Sequence, residues 1–583
     1  MKQKRSVLNE RIFSTKEISG ISAAKILKGK AARMLNFIGR SFAYSSTRSY
    51  GSFLLSFGLF SLLLHLGEYY FMDQVEVGVP LVIGCVLTVL SVPLLILDKP
   101  MCIALQDFSV TDYLLFEFLS IKRMHRNVTH VTISPLLAVF FGFIPAIIGF
   151  FIPIQWVLLS LVILVLVVVA FTTPEFPMIL MLLIFPYLSA LPADKSEIII
   201  IAFSLITLLS FALKVAIGKR VYNFDLYDIL IGLMILLIFI SGLHGYGDSS
   251  LKNSLVYIVL LLGYFPAANL IINRRLADCA INAVIISSVP ITVLAIIEFF
   301  DKLGGKASFA YYKSQTDVSV FFANSSVLAA FLLVSSLFAV SFFIQKKNRF
   351  KKAFYLTVFI AQLFALALVM QPAAWLALLL VAAAYFVMNS RKIPADVLIF
   401  VCILPHLILL LPSKILDTVS GFLGMTQSFS EKLYSYEKLL SVFLENIWFG
   451  VGIGGSDAAS STPPAAFFNI LGIGVEFGIV ALVLFLFTVI LRFRHISYYR
   501  SYVRASRVRV SDDVTALVMI ALLVFGIDAY IFADATIAYL FWAIFGICTS
   551  TLRTAKKEYD DRLSYYGDSR SSESSVIDIQ IQR

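Results

Sequence analysis

The run VLAAFLLVSSLFAVSFFIQ, Val327 to Gln345, is followed at once by KKNRFKK, Lys346 to Lys352. Nineteen residues without a charge come close to the ~20 that carry a helix across the hydrocarbon core of a bilayer. The basic cluster then meets the headgroups where the chain leaves the membrane. Working outward, the same alternation repeats along the 583-residue chain. Apolar runs lie near 50–71, 76–97, 135–153, 156–172, 174–192, 197–217, 226–244, 252–272, 277–299, 327–345, 353–370, 374–389, 395–412, 467–491, 514–532 and 535–552. The expected fold is an all-α polytopic membrane bundle of about 14–16 spans.

Arginine occupies alternate gaps only. Arg5, Arg11, Arg33, Arg40 and Arg48 precede the first run; Arg123 and Arg126, Arg220, Arg274 and Arg275, Arg349 and Arg391 follow. Six more run from Arg492 to Arg509, and the last four begin at Arg553. The other gaps carry lysine at most. By the positive-inside rule this side is cytoplasmic, with both termini on it. The outward face therefore has no guanidinium with which to clamp a phosphate.

Composition agrees. Hydrophobic residues make up 59% of the chain and charged residues 14%, against about 25% charged in a soluble domain. The net charge of +11 comes from basic residues beside the runs, where they meet anionic headgroups, so it is no nucleic-acid signal. Cys85, Cys102, Cys279, Cys402 and Cys548 show no paired spacing, and neither a disulfide nor a metal site is expected. No cofactor is implied, and no cleavable signal peptide is expected ahead of the first run.

Residues 1–49 read as a cytoplasmic basic arm, either an amphipathic helix on the inner leaflet or a disordered segment. Residues 50–133 read as an extra hairpin plus a charged cytoplasmic segment, and 134–552 as the main membrane domain. The Ser-rich, charged tail 553–583 reads as disordered. Two outward loops stand out, at about 300–325 and 413–466. In the second, Leu433, Tyr436, Leu440, Phe443 and Leu444 recur at helical spacing within 431–446. The run Phe449-Gly450-Val451-Gly452-Ile453-Gly454-Gly455 follows; no strand precedes it, so it reads as tight turning near the bilayer rather than a nucleotide loop.

Four segments in order resemble the O-antigen ligase/O-antigen polymerase family of bacterial membrane glycan enzymes. Phe321 to Ala330 is similar to the family's Asn-Pro-Asn stretch, with Asn324 kept. Gln371-Pro372-Ala373-Ala374-Trp375-Leu376-Ala377-Leu378 is similar to Ser-Arg-Gly-Ala-Trp-Leu-Ala-Leu, with Pro372 at the Arg position. Lys432 to Gly454 resembles an Arg-x-x-x-Trp helix followed by Pro-x-Phe-Gly-x-Gly-x-Gly; Lys432, Tyr436 and Ile447 stand for its Arg, Trp and Pro. Phe467 to Ile479 resembles His-Asn-x-x-Leu-x-x-x-x-Glu-x-Gly, with Leu471, Glu476 and Gly478 kept and Phe467 at the His position. The resemblance covers roughly 174–552.

It implies a protein of cell-surface polysaccharide assembly in the bacterial cytoplasmic membrane. Such a protein handles undecaprenyl-pyrophosphate-linked glycan on the outer face, with membrane lipids and another glycan-assembly enzyme as partners. Transfer builds negative charge on the departing phosphate, which outward arginines would hold, and needs a base for the acceptor hydroxyl. The aligned positions supply neither, so no catalytic residue is assigned and the family chemistry reads as degenerate. The substrate-binding set is Asn324, Gln371, Trp375, Glu431, Lys432, Tyr436, Glu437, Lys438 and Glu476. These are expected around one outward cavity beneath the 431–446 helix. A secondary transporter or lipid-linked-glycan flippase is the alternative, against which stand the lack of an internal repeat and of a charged midplane pair. His65, Glu68 and Glu298 at outward span ends and His406 inside a span read as structural groups, Asp528 and Asp534 as a solvated turn, and Trp375 also as an interfacial belt residue.

Overall fold

A computed structural model describes residues 16–18, 31–72, 79–121, 123, 133–246, 250–303, 318–389, 397–402, 429–455, 469–500, 503, 506, 509–526, 532 and 534–581. Among them, eleven helices are long and apolar enough to cross a membrane, joined by the shorter apolar helices Pro135–Phe151, Glu175–Leu188 and Ala373–Met388. The molecule is an all-α polytopic membrane protein. Fifteen of the sixteen expected runs coincide with helices, and the one at 395–412 lies largely outside the described residues. The count of full-length spans is lower than expected because three helices are short. A fourth, Arg509–Phe525, opens on charged residues, Arg509, Asp512 and Asp513.

The chain divides into two compact units. The smaller comprises 19–177 and 209–220, so the position expected to begin the main domain, 134, falls inside it. Its helices are α1 (Ala31–Tyr44), α2 (Thr47–Met72), α3 (Val79–Ile96), α4 (Pro135–Phe151) and α5 (Ile154–Thr172). The basic arm thus contains a helix, α1, directly before the first span. Helices α2, α3 and α4 pack closely because small residues lie where they meet: a Cβ at Gly142 would overlap the Phe53 carbonyl oxygen. Phe57, Leu87, Ala146, Ile154 and Val157 form the core between them. The Ser56 hydroxyl donates to the Val139 carbonyl at 2.7 Å, and buried Glu175 pairs with Arg220. The outward-turned faces of α3 and α5 are apolar and exposed, with only 17% of each span window buried, as lipid contact requires.

Helices α6 (Glu175–Leu188) and α7 (Ala193–Ala216) each contribute residues to both units. The larger unit holds α8 (Leu226–His244), α9 (Ser250–Leu262), α10 (Tyr264–Leu270), α11 (Arg274–Leu303), α12 (Ser325–Gln345), α13 (Arg349–Val369), α14 (Pro372–Asn389), α15 (Phe429–Glu445), α16 (Asn469–Tyr498), α17 (Arg509–Phe525) and α18 (Ala535–Ile581). The Val327–Gln345 run is its centre: α12 is buried from Val327 through Ala339, as is 94% of the best span window of α18. Polar pairs join the surrounding helices. Tyr355 donates to Asn282 at 2.9 Å and Gln362 to the Ser288 hydroxyl at 2.7 Å. The only strands among the described residues are β1 (Lys16–Ile18) and β2 (Tyr222–Phe224), an antiparallel pair with Glu17 opposite Asn223.

Helix α18 runs through 553 to Ile581. Arg553 is tied to Asp225 and to the Ala268 carbonyl, and the following Ala555, Lys556, Lys557 and Glu558 are good helix formers.

Candidate functional site

Ser325 and Gln371 lie at one end of the larger unit, at the starts of α12 and α14. The opposite end collects the arginines. There Arg553 binds Asp225, Arg500 binds Asp513 and the Met388 carbonyl, and Lys346 meets Asp278. We call these the loop end and the arginine end.

At the loop end, α16 is interrupted. Gly478 has φ +83° and ψ 174°, outside any helical conformation, and a Cβ there would overlap the Trp448 carbonyl oxygen. A break in a span strips backbone groups of their intrahelical partners, and hydrocarbon offers no substitute. The Gly-rich segment provides them. Val451 N–H donates to the Val475 carbonyl at 2.9 Å, Gly452 N–H to the Glu476 carbonyl at 3.0 Å, and Ile479 N–H to the Ile447 carbonyl at 2.7 Å. The Ser241 hydroxyl adds a bond to the Glu476 carbonyl at 2.6 Å, and Tyr246 N–H reaches the Val451 carbonyl at 2.8 Å. Gly450, at φ +70°, lies so close that a Cβ would strike the Glu476 backbone. The glycines are there for backbone approach.

Helix α15 leads into this loop. The amphipathic period from 431 to 446 is realised, but with a shifted face: Leu439, Val442 and Phe443 are buried against Val451, Leu471 and Val475, with Leu440 packed beside them. Leu444, expected on the buried face, is 60% exposed. The third and fourth motifs therefore form one assembly, with Glu476 buried inside it. Glu437 is exposed and Lys438 half-buried. Glu431, Lys432 and Tyr436 belong to α15, and their side chains lie outside the described residues, as does Phe467.

The first and second motifs also meet. Gln371 donates to the Ser325 hydroxyl at 2.9 Å, joining the starts of α12 and α14. The Asn324 side chain is occupied as the N-cap of α12, accepting from Val327 N–H at 2.9 Å. Pro372 begins α14, a position proline favours. Trp375 is 44% exposed, in keeping with an interfacial place. The structure thus assembles the site residues in two pairs of motifs.

The span-end groups have structural partners where described. Glu298 accepts from Val320 N–H at 2.7 Å and pairs with Lys302 at 2.7 Å, holding Val320 in a left-handed turn before α12. His65 Nδ1 lies 2.8 Å from the Ser61 carbonyl. Asp534 accepts from Thr536 N–H at 2.8 Å at the start of α18. His406 and Asp528 lie outside the described residues.

One polar residue at this end escaped the sequence reading. His244 ends α8, is exposed, and stacks on Phe449 of the Gly-rich loop with ring centroids 5.1 Å apart. Its Nδ1 is 3.0 Å from the Ile240 carbonyl. With Nδ1–H donating there, Nε2 is left as the acceptor, the tautomer a general base requires. Its only signal was a histidine at the end of an apolar run, opposite the arginines. Among the described residues no cluster of three or more His, Cys, Asp or Glu could hold a metal ion. Comparison with protein families finds no matching family model, and comparison with curated proteins finds no match.

Proposed function

We propose that the chain is an O-antigen ligase/polymerase-like protein of the bacterial cytoplasmic membrane. It handles a polyprenyl-pyrophosphate-linked glycan at its loop end, which faces outward, without the family's arginine and histidine chemistry. One observation supports this reading above the others: the two motif segments 450–454 and 471–478 interlock backbone to backbone at the break in α16. Pro372 and Phe467 at the aligned positions cannot hold a phosphate or take a proton. The loop end retains Lys438, Glu437 and His244, and α15 carries Lys432. A lysine binds phosphate as a point charge and lacks the guanidinium fork. Losing that clamp lowers transfer by roughly 10²–10³-fold, while apolar span surfaces still hold a polyprenyl chain. The protein then serves beside an active glycan-assembly enzyme as its scaffold or regulator.

Purified protein incubated with lipid-linked oligosaccharide and acceptor, with products followed by mass spectrometry, tests this reading. The expected outcome is retained binding without transfer. Robust turnover abolished by Lys432→Ala or His244→Ala would replace it with an active enzyme built on those residues. Turnover indifferent to both would remove the site assignment.

The break in α16 also favours a second reading, since transporters place ligands at the ends of interrupted spans. Here the Val475 and Glu476 carbonyls are already taken by the loop. Movement of a labelled lipid-linked glycan across proteoliposomes would establish the transporter instead.

A further inference from the structure

The arginine end holds a cation that the glycan reading leaves unused. Arg492 is 0% exposed. The rings of Tyr227 and Phe545 each stand 5.4 Å from its guanidinium carbon. They offset part of the charge; the Tyr227 hydroxyl, 3.2 Å from His495 Nδ1, and the Cys548 thiol are polar groups that interact with the guanidinium. Neither completes a hydrogen bond of normal geometry: among the described residues Nε, Nη1 and Nη2 have no such partner. Among the described residues no carboxylate comes within 4.0 Å of them.

The surroundings repeat this imbalance. Phe545 also packs on Tyr264, with centroids 5.8 Å apart, and among the described residues the buried Tyr264 hydroxyl lacks a partner, as does Arg553 Nε. Unfilled acceptors are fewer. Asp512, 0% exposed, accepts from Thr551 at 2.9 Å through Oδ1 and keeps Oδ2 unpartnered, as Asp228 keeps Oδ1. Against those two oxygens stand the five N–H groups of one guanidinium, a hydroxyl and a further N–H. A water brings as many donors as acceptors and leaves the surplus unchanged. A small anion accepts several donors, brings none, and neutralises the charge.

We propose that Arg492 anchors a buried site for a small inorganic anion of the chloride class, enclosed by α8, α16 and α18. The ligand is a monatomic ion, and Asp512 holds the affinity down. The site rests on no reading of glycan chemistry.

The test uses the full-length protein in detergent at constant ionic strength, with chloride exchanged for gluconate. Chloride tenfold above its midpoint should raise the unfolding temperature by about 1–3 °C. Arg492→Met should abolish that response. Asp512→Asn, which removes the competing charge and keeps the Thr551 bond, should shift the chloride midpoint about tenfold lower. In a bromide-soaked crystal an anomalous peak should lie beside the Arg492 guanidinium. An unfolding temperature indifferent to chloride, or an Asp512→Asn midpoint that rises, overturns the proposal. So does a bromide-free guanidinium.

Discussion

A single position shows how far residue type alone can be read. Arg492 is the first residue past the apolar run expected to end at 491, where the positive-inside rule assigns it to the headgroups. The helix continues to Tyr498, so the guanidinium stays inside the bundle and is 0% exposed. Arg553 has a comparable history, with a carboxylate to meet it. Its Nη2 binds Asp225, whose own side chain caps α8 through Tyr227 N–H at 3.1 Å, while Asp228 completes the capping box. The side chains of the pair are 15% and 6% exposed. Removing one partner of so enclosed a pair strands the other charge, which costs roughly 3–5 kcal/mol. Arg553→Met should therefore lower stability by about that amount. Adding Asp225→Asn, which keeps a capping oxygen and discards the charge, should restore more than half of it. Thermal unfolding of the three variants in one detergent decides; a double variant no better than the single would show that the arginine acts through its contact with Ala268.

At the level of elements, the break in α16 and the loop seated on it are one device. Gly478 occupies a backbone region essentially closed to residues with a Cβ, where strain runs to roughly 1–3 kcal/mol. Gly478→Ala should cost at least that, because the new methyl also pushes the Trp448 carbonyl off its seat. The same change in Gly232, whose Cβ would meet nothing within 4 Å, should be neutral or slightly stabilising. Limited proteolysis at 446–455 is expected to accelerate in the first variant alone. Equal protection in both would mean that the loop is held from elsewhere. This element also marks what the sequence made legible. Span positions were readable because twenty apolar residues in a row have one use. The Gly-rich run was readable as a tight turn. Its partner was not, because a Glu-x-Gly inside an apolar run does not announce a broken helix; only the meeting of 447–452 with 475–479 explains why both segments carry glycine. The face of α15 was misjudged for a related reason. Leucine and phenylalanine occur on most of its sides, and packing against Leu471 and Val475 selects 439, 442 and 443.

At the largest scale, the deciding property of the larger unit is the separation of charge between its two ends. Bonds at the arginine end fall into three local groups. Asp278 takes Lys346 and the Ser511 hydroxyl, Arg500 links Met388 to Asp513, and Ser506 reaches Glu558. These residues belong to the starts of α11 and α17, the ends of α12, α14 and α16, and the outer part of α18. The other ends of α8 and α12, with the breaks of 447–455 and 478, form the loop end. An antiparallel bundle turns alternate sequence gaps into opposite faces, so a rule about arginines in gaps becomes a statement about a surface. By that rule the arginine end is expected in the cytoplasm, and the proposed glycan chemistry stands or falls with it. Two exposed positions test the orientation: Glu437 on α15 and Arg494 on α16. In a Cys85→Ser background, which removes the one exposed native thiol among the described residues, Glu437→Cys should react with a membrane-impermeant maleimide in intact cells. Arg494→Cys should react only after permeabilisation. The reverse pattern would invert the molecule, move the loop end to the cytoplasm, and exclude transfer of an outward-facing lipid-linked glycan there.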